Sequence, residues 1–152
     1  MDGLAWKDFA TATPIAAEGD RLLNQFGIGL AFIATTRKDG GPRLHPCCPL
    51  IADGRLYVFV TGASPKRFDL ERDGRYALHS FPPAQNDDEF YCTGRSRAIS
   101  DATVRAAIAE RAKHNVRDDE VLFELLIERA LFTTWINPRQ PDTQPVHWKW
   151  AA

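Results

Sequence analysis

The 152-residue chain has almost no excess charge of either sign: 19 lysines and arginines face 20 aspartates and glutamates, a net of −1 at pH 7. Without a basic excess it lacks the footprint of a nucleic-acid binder, which draws its affinity from phosphate neutralisation. Cysteine is scarce as well. Cys47, Cys48 and Cys92 are odd in number and two are adjacent, so no disulfide framework is expected and a reducing compartment, the cytoplasm, fits. The adjacent pair lacks the two-residue spacer with which thiolates grip zinc, and no histidine pair stands at helical spacing, so no metal site is expected. No apolar run approaches the roughly 18 residues of a membrane span, and no basic-then-apolar leader opens the chain. Also missing are the Gly-x-Ser-x-Gly elbow of serine hydrolases, the Gly-x-Gly-x-x-Gly turn of dinucleotide folds and a Walker-type loop.

What is present is ordinary globular material, 44% hydrophobic and 26% charged, of a length that suits one domain over residues 1–152. An N-terminal helical segment, 1–26, is expected: Thr13 caps, Pro14 suits the first helical position, and Ala16, Leu22, Leu23 and Phe26 make a stripe that Gly27 ends. Strand patterns follow at Ile28–Thr36, Arg43–Ile51, Arg55–Thr61, Arg75–Phe81, Glu89–Ile99 and Ile127–Ile136. Turns at Lys38–Gly41 and Asp53–Gly54 make the early pairs antiparallel hairpins, and Pro46 and Pro49 break the ladder of the second strand. Helices are expected at Ser64–Arg72, Ser100–His114 and about Asp118–Leu126, and a proline-rich tail, 138–152, ends in Trp148-Lys149-Trp150. The fold class is therefore mainly β (α+β), a six-stranded antiparallel barrel with flanking helices.

Two stretches could carry chemistry. Thr61-Gly62-Ala63-Ser64-Pro65-Lys66-Arg67 lies where a strand ends and a helix begins, so amides, a hydroxyl and two cations could meet a phosphate; equally, it is a capped helix with solvated basic residues. Arg43-Leu44-His45-Pro46-Cys47-Cys48 is a strand interrupted by prolines, whose free backbone groups could face the polar edge of a planar ligand or could simply form a sheet edge. Trp148 and Trp150 must cover something, either their own barrel or a subunit interface beside a ligand.

The run Ala34-Thr35-Thr36-Arg37-Lys38-Asp39-Gly40-Gly41-Pro42-Arg43, then Asp53-Gly54-Arg55-Leu56-Tyr57, Ser64-Pro65-Lys66, Asp69-Leu70, Asp73-Gly74-Arg75 and Asp88-Glu89-Phe90 leading to Thr93-Gly94-Arg95 resembles pyridoxamine 5'-phosphate oxidase-like proteins. The resemblance runs from about Gly27 to Ile99 and more loosely beyond. It implies a split barrel, working as a homodimer that builds two flavin mononucleotide (FMN) sites between its subunits and acts on a small-molecule substrate. By position, Arg43, Leu44, His45, Pro46, Cys47 and Cys48 would run along the flavin ring and ribityl chain. Val60 and Thr61 would line the next strand, and Ser64, Lys66 and Arg67 would take the phosphate. Glu89 stands near a glutamine of the oxidases, and Trp148 or Trp150 echoes a C-terminal tryptophan. The departures are Pro65 in place of a second basic residue, Cys48 in place of a strand-ending lysine, and no counterpart of the C-terminal arginine segment that holds the vitamin. They point to an FMN-dependent oxidoreductase of the wider family. Alternatives are a non-enzymatic flavin or heme binder, with His45, His79, His114 or His147 as heme ligand, and a deazaflavin-dependent reductase.

Overall fold

The computed structural model describes residues 2–152. Two helices, α1 (Trp6–Ala12) and α2 (Ile15–Leu23), precede β1 (Ala31–Thr36), β2 (Pro42–Cys47), β3 (Leu50–Ala52) and β4 (Arg55–Thr61). Then come α3 (Pro65–Arg72), β5 (Arg75–Ser80), β6 (Glu89–Ala98), α4 (Ala102–Arg111), β7 (Glu120–Ile136) and β8 (Gln144–Ala151). The strands form one eight-stranded sheet in the order β2-β1-β5-β6-β7-β4-β3, with β8 also paired to β7. All pairings are antiparallel.

The two ends of that order, β2 and β3, are neighbours in the chain, separated by Cys48 and Pro49 alone. The sheet must therefore roll until its ends meet, which makes it a barrel. The seam is tight where Gly29 passes Pro49: a Cβ on Gly29 would overlap the Pro49 carbonyl oxygen, so the close approach requires glycine. Pro46 and Pro49 bring no amide hydrogens to this seam, which keeps the barrel split.

The single strand expected at 43–51 is thus two, β2 and β3, and the tail expected at 138–152 contains a strand, β8. Eight strands replace the six expected, within the same α+β class. The largest correction is the helix expected at Asp118–Leu126, which is the first half of β7. Its apolar residues cover both faces: Phe123 and Leu125 point into the barrel core, while Leu122 packs under α4 with Tyr57, Phe59 and Ile108. A segment that is apolar on both faces shows no clean period, and pairing with β4 and β6 overrides the helix propensity of its leucines.

One edge of β7 is shared along its length. β4 pairs with residues 120–124, Leu4 exchanges two 2.8 Å backbone hydrogen bonds with Ile127, and β8 pairs with residues 129–136. The core lies inside the barrel, where Ile33, Leu56, Val58, Leu78, Phe90 and Ile127 are fully buried, and α1 and α2 plug one side with Phe9, Leu22 and Leu23. Each such side chain contributes about 1.5–3 kcal/mol by leaving water. Trp150 meets Phe9 edge-on at 5.0 Å and Trp148 stacks on Phe132 at 5.5 Å, so both face the helical layer. Among the described residues no helix is long and apolar enough to cross a membrane.

Candidate functional site

β2 and the start of α3 converge. Strand alternation turns Arg43, His45 and Cys47 toward one side, and leaves Leu44 and Pro46 exposed on the other. Ser64 takes the N-cap position of α3 with extended backbone, yet its hydroxyl makes no capping bond, and Pro65 has no amide to offer. Among the described residues the first turn therefore presents an unengaged hydroxyl and the Lys66 amide. The Lys66 ammonium reaches back over β2, its one protein contact among the described residues being the Pro46 carbonyl at 3.5 Å. Its charge is felt at His45, Cys47 and Cys48.

The other two cations expected here are engaged. Arg67 donates to Glu71 at 2.9 Å and to the Gly62 carbonyl at 3.1 Å, and lies over the Phe68 ring. Arg43 donates to Asp69 at 2.7 Å. In the sequence Asp69 entered only through the Asp69-Leu70 step of the family resemblance, with no site role, but it ties the site together. Buried on α3, it also accepts from the Thr35 hydroxyl of β1 at 2.8 Å and from Arg72 at 3.2 Å. Burial works against its charge, but hydrogen bonds from Arg43, Thr35 and Arg72 outweigh that and hold its carboxyl below the usual range.

Not every expected residue joins this cluster. Thr61 ends β4 close to the turn, whereas the Val60 side chain lies fully inside the barrel and Cys47 is buried in the same core. Glu89 begins β6, three strands from β2, and Trp148 sits on β8 at the far side of β7. Within one chain neither reaches Lys66.

His45 is the histidine beside the cluster. Partial burial, then the charges of Lys66 and Arg43, hold its imidazole below the ordinary value against the pull of Asp69, so it is neutral at physiological pH. His79 bonds the Ser80 carbonyl at 2.6 Å, His147 meets the Thr133 hydroxyl at 2.8 Å, and His114 lies edge-on to Phe59.

The cysteines are free, and burial pushes the Cys47 and Cys92 thiols up to about 12. Cys48 is half-buried and raised less far, Lys66 opposing the shift. Brief alkylation of the native protein should modify Cys48 alone, and denatured protein all three. Mass spectrometry reads the difference, and native labelling at Cys92 would contradict the barrel interior described above.

No family model matches the chain, and no curated protein matches its sequence. Solved structures do match. A candidate pyridoxamine 5'-phosphate oxidase from Listeria innocua superposes with a TM-score of 0.61 at 13% identity, covering 75% of this chain and 94% of that one. The barrel has the pyridoxamine 5'-phosphate oxidase-like fold. HutZ, the heme storage protein from Vibrio cholerae, matches this split barrel with a TM-score of 0.60 at 13% identity, over 76% of this chain and 92% of that one. A heme binding protein from Mycobacterium smegmatis matches with a TM-score of 0.60 at 16% identity, over 88% of this chain but only 58% of the longer relative.

Proposed function

We propose that residues 1–152 form an FMN-binding oxidoreductase of the pyridoxamine 5'-phosphate oxidase-like type, acting on a small molecule as a homodimer. The observation that carries the reading is the uncapped start of α3, where, among the described residues, the Ser64 hydroxyl and the Lys66 amide are unengaged and the Lys66 ammonium holds a single long contact. That donor set fits a phosphate dianion, which would gain charge-assisted hydrogen bonds without breaking existing ones. Arg67 would join only by releasing Glu71. Bound flavin supplies hydride transfer, and the chain's own groups orient it and bond its polar edge. The backbone of β2 between Pro42 and Cys47 is a sheet edge with free groups suited to that contact.

A homodimer would solve two problems at once. The outward row Leu44–Ala34–Ala77 is a flat apolar strip, with Leu44 66% exposed, and a second copy would cover it. A second copy could also bring its own Glu89 or Trp148 toward the cluster, which one chain cannot do.

Purified protein is expected to be yellow, to release FMN on denaturation, and to gain melting temperature with added FMN. Lys66→Ala should weaken FMN about ten- to a hundredfold, the value of a charge-assisted contact. Colourless protein with no thermal response to FMN would overturn the reading. The heme-binding names of two structural neighbours support a second one, in which neutral His45 is the iron ligand. An intense Soret band that His45→Ala removes would favour it, and a deazaflavin would appear in the mass of the released cofactor.

A further inference from the structure

A second cluster centres on Arg55, at the start of β4, whereas the Ser64–Lys66 turn follows its end. One cross-strand row on the outer face runs Leu50–Tyr57–Glu124–Arg97 through β3, β4, β7 and β6. Glu124 is fully buried. Arg55 grips both its oxygens at 2.8 Å through Nη1, and Arg97 donates to Oε2 through Nε at 2.8 Å, with its Nη2 2.6 Å from the same oxygen in the ion pair. One buried carboxylate thus holds two guanidinium groups side by side, leaving Nε and Nη2 of Arg55 and Nη1 of Arg97 with no partner among the described residues. The pair carries one positive charge beyond what Glu124 neutralises.

These groups line a cleft of about 340 Å³ between the sheet and the start of α4, walled by Ile99, Val104 and the aliphatic part of Ala98. Tyr57 lines it too: its ring is buried, while its hydroxyl makes no hydrogen bond among the described residues and opens to the cleft, free to donate. Burial, then the Glu124 charge, pushes this phenol up, so it stays a neutral donor. Of the negative groups nearby, Asp101 is occupied by the Thr103 and Val104 amides that it caps, and Asp8 acts on Arg55 only at longer range.

We infer that this cleft binds a small organic oxyanion: a carboxylate or phosphate, received by Arg55, Arg97 and the Tyr57 hydroxyl, on an apolar body that lies against Ile99 and Val104. The pattern is that of a small-molecule site, apolar walls with few converging polar groups. It is separate from the Ser64–Lys66 turn, so it stands whether or not flavin binds there.

Calorimetric titration with benzoate, an oxyanion on an apolar ring, tests it. Tyr57→Phe removes one donor at constant shape, and Val104→Glu sets a carboxylate at the mouth, where the helix N-terminus tolerates negative charge. Saturable binding of one benzoate per chain is expected, unchanged in Lys66→Ala, about three- to tenfold weaker in Tyr57→Phe, and at least about tenfold weaker in Val104→Glu. No saturable binding to the wild-type protein would overturn the inference. So would equal affinity in wild type and both variants, or loss of binding in Lys66→Ala, which would place the anion at the α3 turn. Circular dichroism melts confirm that each variant folds.

Discussion

Gly94→Ala is expected to cost about 3 kcal/mol or more and to lower the melting temperature by roughly 6–12 °C. Gly94 sits at the irregularity in the β6–β7 ladder, where Thr93 pairs with Arg129 but Gly94 pairs with Ile127, so Glu128 is left over. A Cβ there would overlap the Leu126 carbonyl oxygen, lie 2.9 Å from its carbonyl carbon and 3.1 Å from the Glu128 nitrogen. All three are backbone atoms in the middle of the sheet and cannot swing aside. The same Leu126 carbonyl accepts the buried Tyr76 hydroxyl at 3.1 Å, so displacing it also strips a buried phenol of its acceptor. The bulge matters beyond its own contacts. It lies where β7 changes partners on its other edge, from β4 through Leu4 to β8. Urea denaturation checks the figure, and a loss below about 1 kcal/mol would mean that β6 can shift away cheaply.

Much of the barrel was legible because hairpin chemistry is local. Turn residues at 38–41 and 53–54 sit between strands that the alternation of Leu56, Val58 and Val60 locates well, and Ser64-Pro65 marks the start of α3 in the same way. β7 was obscured by burial on both faces, since Leu122 and Phe123 are equally covered although they point opposite ways. β8 was hidden by its composition: Pro145 and exposed polar positions resemble a tail, and pairing with a strand several residues upstream makes it a strand. The site shows the same division. Ser64 and Lys66 were visible as a strand-to-helix turn, a local signature. Asp69 was not, because one carboxylate in a helix made mostly of charged residues carries no sign that Thr35 and Arg43 will fold onto it. Nor could the order of residues show that Arg43 and Arg67 would spend their charges on Asp69 and Glu71.

That buried carboxylate carries the second large effect. Asp69→Asn is nearly isosteric but replaces one acceptor oxygen with an NH2 group, which must face either Arg72 or the Thr35 and Arg43 donors and leaves that side without its hydrogen bonds. Breaking a buried ion pair costs about 3–5 kcal/mol when the surviving charge stays buried. Here the arginine side chains are 27% and 38% exposed and can turn to water, so about 2–3 kcal/mol is expected. Because the folded-state pKa of Asp69 is depressed, its stabilisation is present above the unfolded value of about 3.9 and is lost as pH falls through the folded one. The stability gap between wild type and Asp69→Asn should therefore be full at neutral pH and narrow below about pH 4. Denaturation series at neutral and acid pH measure it, and a gap that stays constant would assign the cost to shape instead of charge. Asp69 also joins α3 to β1 and β2, which makes it a positioning residue for the proposed phosphate site. Loosening that joint should weaken FMN even with Ser64 and Lys66 intact. Asp69→Glu, which restores the charge on a longer stem, should recover part of the acid dependence but less of the affinity. Recovery of both in full would show that charge at this point, and not the alignment of α3 with β2, is what the site requires.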